Sequence, residues 1–487
     1  MSNNSKETII NSLLWKLMER SGVQGIQFIL QIVLARLLTP DDYGIIALIA
    51  IFIVIANVFV QSGFNTALIQ NKDSNDDDFS SVFYLSFFVA TILYIILFLT
   101  APTIANFYGV KQLVPVVRVL AITLFFGAFN SIQNAIIAKT MQFKKLFFSS
   151  SIAITISGIL GIILAYSGFG VWALVAQQLL NQIIIVIVLL IILKWYPKLV
   201  FSFKRIKILF RYGWKLLLSS LIDTIYMNIR SLIIGKIYHP AILGFYNRGD
   251  QFPQIIVSNI NGAIQSVMLP ALSNEQENKE KVKNMVRRAI VTSSFIIFPM
   301  MIGLAVVAEP VVKILLTDKW LACVPFMQIF CISYALWPIH TANLQAINAL
   351  GHSEIYLKLE LVKKILGTVI LVISLFFGVY AIAIGTLVSG VISTFINAHP
   401  NKKLLNYSYI EQIKDILPSL LISSAMGIIT YFIKFLCLGS LLTLVIQILL
   451  GGIIYIFLAK IFKLECYIYL LETLKTMING KKRWKWK

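Results

Sequence analysis

The chain has 487 residues, of which 58% are hydrophobic and only 13% charged, with a formal net charge of +21. Soluble chains carry about a quarter charged residues, so a string of soluble domains is excluded. The excess of Lys and Arg would suit nucleic acid, but the charges sit between long apolar runs such as "YGIIALIAIFIVIANVFVQ", the pattern of a membrane protein.

Runs near twenty residues match a hydrocarbon core of about 30 Å at about 1.5 Å of helix rise per residue. The expectation is an all-α integral membrane protein; the alternating ten-residue strands of a membrane barrel are not in the sequence. In chain order, fourteen spans are expected near residues 10–35, 44–64, 82–104, 113–137, 147–167, 171–193, 213–235, 241–269, 287–308, 322–349, 358–378, 380–398, 415–435 and 439–461. The first holds Lys16, Glu19 and Arg20 and lacks a small-residue cleavage site, so it reads as an uncleaved helix rather than a signal peptide. Most of the 42 Lys and Arg residues fall in loops on the side of the N-terminus, a bias that predicts both termini in the cytoplasm. Beside the last span, "KKRWKWK" is expected to rest on anionic headgroups of the bilayer and not to bind nucleic acid. Cys323, Cys331, Cys437 and Cys466 show no C-x-x-C spacing and read as small apolar filler, not as metal ligands or a disulfide.

One short pattern is written twice. "ARLLTPDDYG" (35–44) and "GKIYHPAILG" (235–244) both place a cation, three residues, Pro, three residues, Gly, with Arg36, Pro40 and Gly44 matched by Lys236, Pro240 and Gly244. Further on, "GFGVWALV" (168–175) matches "FFGVYAIA" (376–383), and "IQNAIIAK" (132–139) weakly matches "LQAINALG" (344–351). Three ordered anchors at nearly constant offset mark two homologous halves, and six spans per half make them parallel repeats. The expected organisation is an N-lobe over 1–205, a C-lobe over 206–405, and two further helices with a basic tail over 406–487. In each repeat, proline should stop one helix while glycine lets the next start close to a neighbour. Between the lobes, "YPKLVFSFKRIKILFRYGWK" reads as a basic amphipathic connector on the cytoplasmic face.

Polar residues inside spans are costly in lipid, so their angular positions carry information. Lys16, Arg20, Gln24, Gln27 and Gln31 fall within about 80° of one helix face. Asn57, Gln61 and Asn65 share a face of the second span, and Asp223 and Arg230 lie two turns apart in the seventh. The eighth carries Asn247, Gln251, Gln254, Ser258, Asn261 and Gln265, with Pro253 as an expected kink, and the tenth adds His340, Asn343 and Asn348. Single amides of this kind serve as interhelical glue worth about 1 kcal/mol. A stripe with two cations points instead to a wet cavity that prefers a phosphate-bearing anion, with amides to hydrogen-bond a sugar. No P-loop, acidic metal motif or H-E-x-x-H is present, the histidines are scattered, and no catalytic residue, metal or cofactor is expected.

The segments "LARLLTPDDYGIIALI", "GFNTALIQ", "MQFKKL", "GFGVWALV" and "GFYNRGDQFPQ" together resemble the polysaccharide flippases of the multidrug/oligosaccharidyl-lipid/polysaccharide exporter superfamily, in the subgroup of colanic acid and teichuronic acid exporters. The resemblance covers essentially the whole chain. It implies two six-helix lobes plus two helices, alternating access, and residence in the bacterial cytoplasmic membrane. The implied substrate is an undecaprenyl-pyrophosphate-linked oligosaccharide, handed on for polymerisation, which makes the bilayer and polysaccharide polymerase machinery the implied partners. Pyrophosphate-contacting cations of the family map by position to Lys16 and Arg20, and to Arg36. The sequence departs from the family where an acid often precedes the "IG" ending span 7, because Arg230 stands in that place; Asp223, with Glu19, is left as the candidate for ion coupling. The alternatives are a cation-coupled drug or metabolite antiporter of the same superfamily, or a membrane polysaccharide polymerase.

Overall fold

The computed structural model describes residues 3–61, 63–71, 74–436 and 438–478, and of the side chains within them all but 3–14, 17, 20, 212 and 474. The "KKRWKWK" tail, Cys437 and the Arg20 side chain therefore lie outside what is described. The helices are α1 (Asn3–Leu37), α2 (Pro40–Gln61), α3 (Phe64–Gln70), α4 (Asp76–Tyr108), α5 (Leu113–Leu120), α6 (Thr123–Thr140), α7 (Phe143–Tyr166), α8 (Val171–Leu193), α9 (Phe203–Ile237) and α10 (Pro240–Ser273). They continue with α11 (Lys279–Val306), α12 (Ala308–Leu315), α13 (Val324–Ala335), α14 (Trp337–Ala349), α15 (Ser353–Ser374), α16 (Val379–Leu404), α17 (Tyr409–Tyr431), α18 (Ser440–Ile461) and α19 (Glu465–Ile478). Short 3-10 turns stand at Asp318–Cys323, Leu375–Phe377 and Phe432–Leu436. No β-strand occurs among the described residues, in keeping with the all-α expectation.

Twelve helical segments among the described residues are long and apolar enough to cross a membrane. The expected count of fourteen is not reached on those two properties, for a physical reason. The eleventh expected span is a helix too, but charges interrupt it: α15 carries Glu354, Lys358, Glu360, Lys363 and Lys364, and in α1 the described apolar stretch is Ser21–Leu37.

The sequence repeat has structural counterparts. Gly170 and Gly378, both with positive φ, open α8 and α16, where "GFGV" and "FFGV" align. The fourth and tenth spans are both broken, α5 from α6 at Ala121–Ile122 and α13 from α14 at Leu336. At the second break Pro338, which has no N–H to give to the preceding turn, sets the start of α14. By packing, the chain divides into two compact units, residues 1–244 and 245–487.

In the first unit the duplicated turns meet each other. A methyl group at Gly44 would stand 1.9 Å from the Pro240 carbonyl oxygen, and one at Gly244 would stand 2.3 Å from that of Pro40. Each proline carbonyl thus lies in the space a side chain would fill in the opposite repeat. Around this contact Thr39 caps α2 by exchanging bonds with Asp42, with its N–H 2.9 Å from Oδ2, and Asp41 lies 3.0 Å from His239 Nδ1. Lys236 donates to the Phe107 carbonyl and sits 4.2 Å from the centre of that ring. A second backbone-on-backbone approach joins Gly63 to Gly213, where a methyl at Gly63 would come 2.2 Å from the Gly213 oxygen.

The connector between the halves runs straight into span 7 as the single helix α9. Its Ile206 and Leu209 are buried with Phe64, Leu68, Phe79, Val82 and Phe83 of α3 and α4, while Phe203, Ile208 and Phe210 are exposed. The acidic run at the start of α4 holds it down. Asn75 and Asp78 form a capping box, and Arg205 Nη1 lies 2.8 Å from both Asn75 Oδ1 and Asp78 Oδ2.

In the second unit α17 and α18 dock on α11 through Phe295, Ile422, Met426 and Tyr455, whose hydroxyl donates to the Phe295 carbonyl at 2.7 Å. Arg287 of α11 ties three helices at one end, 3.0 Å from Asp415 of α17 and 3.0 Å from Glu465 of α19. At Glu309 of α12 the partners are Lys434 at 2.7 Å and Lys313 at 3.2 Å. The Lys434 hydrogen bond, helped by Lys313 and opposed by burial, holds the Glu309 carboxyl below the ordinary carboxylate range.

Two outcomes follow from this packing. Gly44→Ala should cost roughly 3 kcal/mol or more, because backbone must move. Gly25→Ala, at a helical position with nothing within 4 Å, should be neutral or stabilise by about 0.5–1 kcal/mol; thermal unfolding in detergent compares the two. Because the Glu309 pKa is lowered on folding, its ion pairs stabilise the protein above the ordinary carboxylate pKa and are lost as pH falls through the lowered value. Melting temperature measured from pH 7 down to about pH 3 should fall less steeply in Glu309→Gln than in the parent.

Candidate functional site

The expected polar stripe lies on one continuous helix, α1, which packs against α7. The lower half is held by rings: Trp15 lies 5.7 Å from Phe147 and 5.9 Å from Phe148, centre to centre. The upper half is held by Leu30 over Gly158 and by Leu34 and Leu38 in a buried cluster with Ala165, Ala173 and Leu174. Between these anchors, Lys16 and Gln27 are exposed and Gln24 and Gln31 half-buried. Leu34 continues the same angular face one turn beyond Gln31 and is fully buried, so the polar face stops there.

The cation at the base of the stripe is held loosely. Lys16 Nζ lies 2.8 Å from Glu19 Oε2 and 5.5 Å from the centre of the Phe143 ring, and the lysine side chain is 47% exposed. Glu19, an ion-coupling candidate from the sequence, is thus the partner of Lys16. A pair at this exposure contributes about 0.2–1 kcal/mol. Lys144 of α7 adds a nearby cation, 5.3 Å from the Trp15 ring centre.

The other residues singled out by the sequence have different surroundings. Asn57 and Gln61 of α2 are half-buried and bonded to each other at 3.3 Å, and both reach the α6 backbone where Gly127 leaves room. On α9, Asp223 is exposed, and Arg230 lies over the Tyr226 ring at 5.7 Å. In the second unit Gln254 of α10 is exposed, Asn261 is buried with an amide oxygen lacking a partner, and Gln251 accepts from Arg248 at 2.6 Å. His340 and Asn343 of α14 are enclosed: Asn397 lies 3.0 Å from His340 Nδ1, and Asn343 bonds Gln412 and Asn401.

Arg248 is the residue that sequence reasoning passed over. It is only 5% exposed and packs 5.3 Å from the centre of the Trp320 ring, next to Asp250, which accepts from Tyr334 at 2.5 Å. The available signal was its place in "GFYNRGDQFPQ", two charged residues inside an apolar helix, which spacing arguments built on amides did not weigh. Among the described residues no group of three or more His, Cys, Asp or Glu side chains stands close enough to share a metal ion.

Comparison with known proteins sets this geometry in context. A profile described as polysaccharide biosynthesis protein matches residues 33–325, more than half of the chain. The chain belongs to that family. The teichuronic acid biosynthesis protein TuaB of Bacillus subtilis (strain 168) is 27% identical over 469 residues, covering 92% of this chain and 95% of TuaB. The lipopolysaccharide biosynthesis protein WzxC of Escherichia coli (strain K12) is 22% identical over 439 residues, covering 87% and 88%. TuaB is a teichuronic acid relative of the kind expected from the sequence. Among solved structures, the lipid II flippase MurJ in an inward closed conformation superposes with a TM-score of 0.76 at 16% identity, over 92% of this chain and 98% of that one. At that identity the likeness concerns the fold, and it bears out the helical exporter architecture. As a family member with twelve membrane-length helices among the described residues, the chain is a multi-pass membrane protein.

The loose hold on Lys16 has a direct consequence. Glu19→Gln should change unfolding stability by no more than about 1 kcal/mol, read from denaturation in detergent. A larger loss would show that the pair is structural and not an exchangeable contact.

Proposed function

We propose that this protein moves an undecaprenyl-pyrophosphate-linked oligosaccharide from the inner to the outer leaflet of a bacterial cytoplasmic membrane, for polysaccharide biosynthesis. The observation that carries the reading is the polar face of α1, where an exposed, weakly paired Lys16 precedes Gln24, Gln27 and Gln31, the only polar residues between Gly22 and Ala35. Lipid faces do not tolerate such a stripe, so it serves a polar, anionic cargo. Lys16 and Arg20 hold the pyrophosphate, and the three glutamines of α1 replace water around the sugar. Gln254 and Asn261 of α10, with Asn57 and Gln61 of α2 and Arg230 of α9, are further contacts in this reading, and Gln251 acts from its bond to Arg248. The names of TuaB and WzxC, tied to teichuronic acid and lipopolysaccharide biosynthesis, and the lipid II flippase title of MurJ support a lipid-linked cargo. The mechanism is alternating exposure of the cationic face to the two sides of the membrane, with both termini in the cytoplasm.

The test is a Lys16→Ala/Arg20→Ala double variant in a deletion strain, with membrane lipids extracted and weighed by mass spectrometry. Undecaprenyl-pyrophosphate oligosaccharide should accumulate on the cytoplasmic leaflet, and surface polymer should disappear while the variant stays in the membrane. Normal surface polymer with that variant sinks the proposal. A deletion strain with no lipid-linked intermediate but with lost resistance to cationic drugs points instead to the antiporter.

A further inference from the structure

At one end of the second unit, α12, α13, α17, α18 and the turn between the last two line an open pocket of about 340 Å³ that shares no residue with the α1 face. Its rim carries three charges. Glu309 is the common partner of Lys313 and Lys434, so one acid faces two cations and a positive charge is left over. Its wall is rich in acceptor oxygens. Thr443 spends its one hydroxyl proton on the Leu438 carbonyl at 3.1 Å and keeps only lone pairs, while Gln328 donates one N–H to the Ala305 carbonyl at 3.1 Å and keeps its amide oxygen and a second N–H.

Gln447, also on the wall, makes the strongest demand. It is 3% exposed, and its Nε2 donates to the Thr430 carbonyl at 3.1 Å while its Oε1 has no hydrogen-bond partner. Turning the amide over would set oxygen against oxygen at Thr430, so the orphan is an acceptor and wants a donor. A buried acceptor left this way costs free energy that a ligand hydroxyl recovers.

The surroundings of the cavity are apolar. Phe432, Phe435, Leu436, Leu441 and Leu442, on the turn between α17 and α18 and on the first turn of α18, are all exposed large hydrophobic residues, as suits hydrocarbon. A surplus cation, acceptors that want hydroxyl donors, and flanking apolar side chains together describe the end of a lipid. Basic pockets between membrane helices bind acidic headgroups by the same physics. We propose that this cavity binds the headgroup of an anionic, hydroxyl-bearing phospholipid, with the phosphate at Lys434 and Lys313 and a headgroup hydroxyl donating to Gln447 Oε1. A choline headgroup has no hydroxyl to donate and no net charge, so it is selected against. Soluble glycerol phosphate carries the same polar chemistry without the acyl chains.

The experiment is native mass spectrometry of the full-length protein in detergent, titrated with phosphatidylglycerol, phosphatidylcholine or glycerol 1-phosphate. Phosphatidylglycerol should bind about tenfold more tightly than phosphatidylcholine. Lys313→Gln/Lys434→Gln should erase that preference, with only the small loss of melting temperature that removing the two Glu309 ion pairs brings. Glu309→Gln, which removes the acid and leaves both cations, should strengthen phosphatidylglycerol binding severalfold, and it reads the same electrostatics if the double variant fails to fold. Equal binding of the two lipids, or a Glu309→Gln protein with unaltered affinity, overturns the proposal. Displacement of phosphatidylglycerol by an equal concentration of glycerol 1-phosphate also overturns the lipid assignment, and resistance to displacement supports it. None of these readouts involves the oligosaccharide, so their failure leaves the proposed function standing.

Discussion

Where α2 and α10 begin, the carbonyl oxygen of each proline in the duplicated turn occupies the place that a side chain would take on the glycine of the other copy. In a bilayer the lipid tails are as apolar as the helices, so burying leucine provides little drive for association. Close backbone approach, with its dense dispersion contacts, supplies that drive and requires residues without Cβ. The Gly63–Gly213 contact uses the same device between the end of α2 and α9. The ends of α1, α2, α9 and the start of α10 are set by these contacts, and with them the position of every polar side chain those helices carry in the first unit.

Polar side chains in the membrane-length helices fall into two kinds. Some are closed into packing: Asn130 donates to Gln182 at 2.5 Å, and Asn343, Gln412 and Asn401 bond one another with no exposure to speak of. Others stay open, as on α1 between Lys16 and Gln31. The first kind adds about 1 kcal/mol per contact to helix association and is satisfied without a ligand. The second kind is tolerated only where water or a polar cargo replaces the lipid. The functional reading therefore rests on α1, while Asn57 and Gln61 contribute in addition to their packing against α6 at Gly127.

The excess of positive charge is used locally. Asp78 takes up Arg205 and thereby fastens the connector to the start of α4, and Arg287 binds Asp415 and Glu465 to bring α17 and α19 to α11. In the acidic run "NDDDF", Asn75 and Asp78 act as a helix cap and as the anchor for Arg205 of the connector. Lys434 and Lys313 differ from these, since two cations share the single acid Glu309 and leave charge for a ligand.

Much of the architecture was legible in one dimension because its causes are local or periodic. Span length follows from bilayer thickness, and the helix faces from the repeat of about 3.6 residues per turn. Lys16 and the glutamines of α1 were found this way, and the helix of residues 3–37 places them on one face as expected. Partners were not legible, since a helix face does not state what lies across from it. Only the tertiary structure decided that the two Pro-x-x-x-Gly turns contact each other, that Arg248 is buried on Trp320, and that His340 and Asn343 are enclosed by α16 and α17. Each of these depends on which helices approach and at what height, and that is set by contacts between residues far apart in the chain.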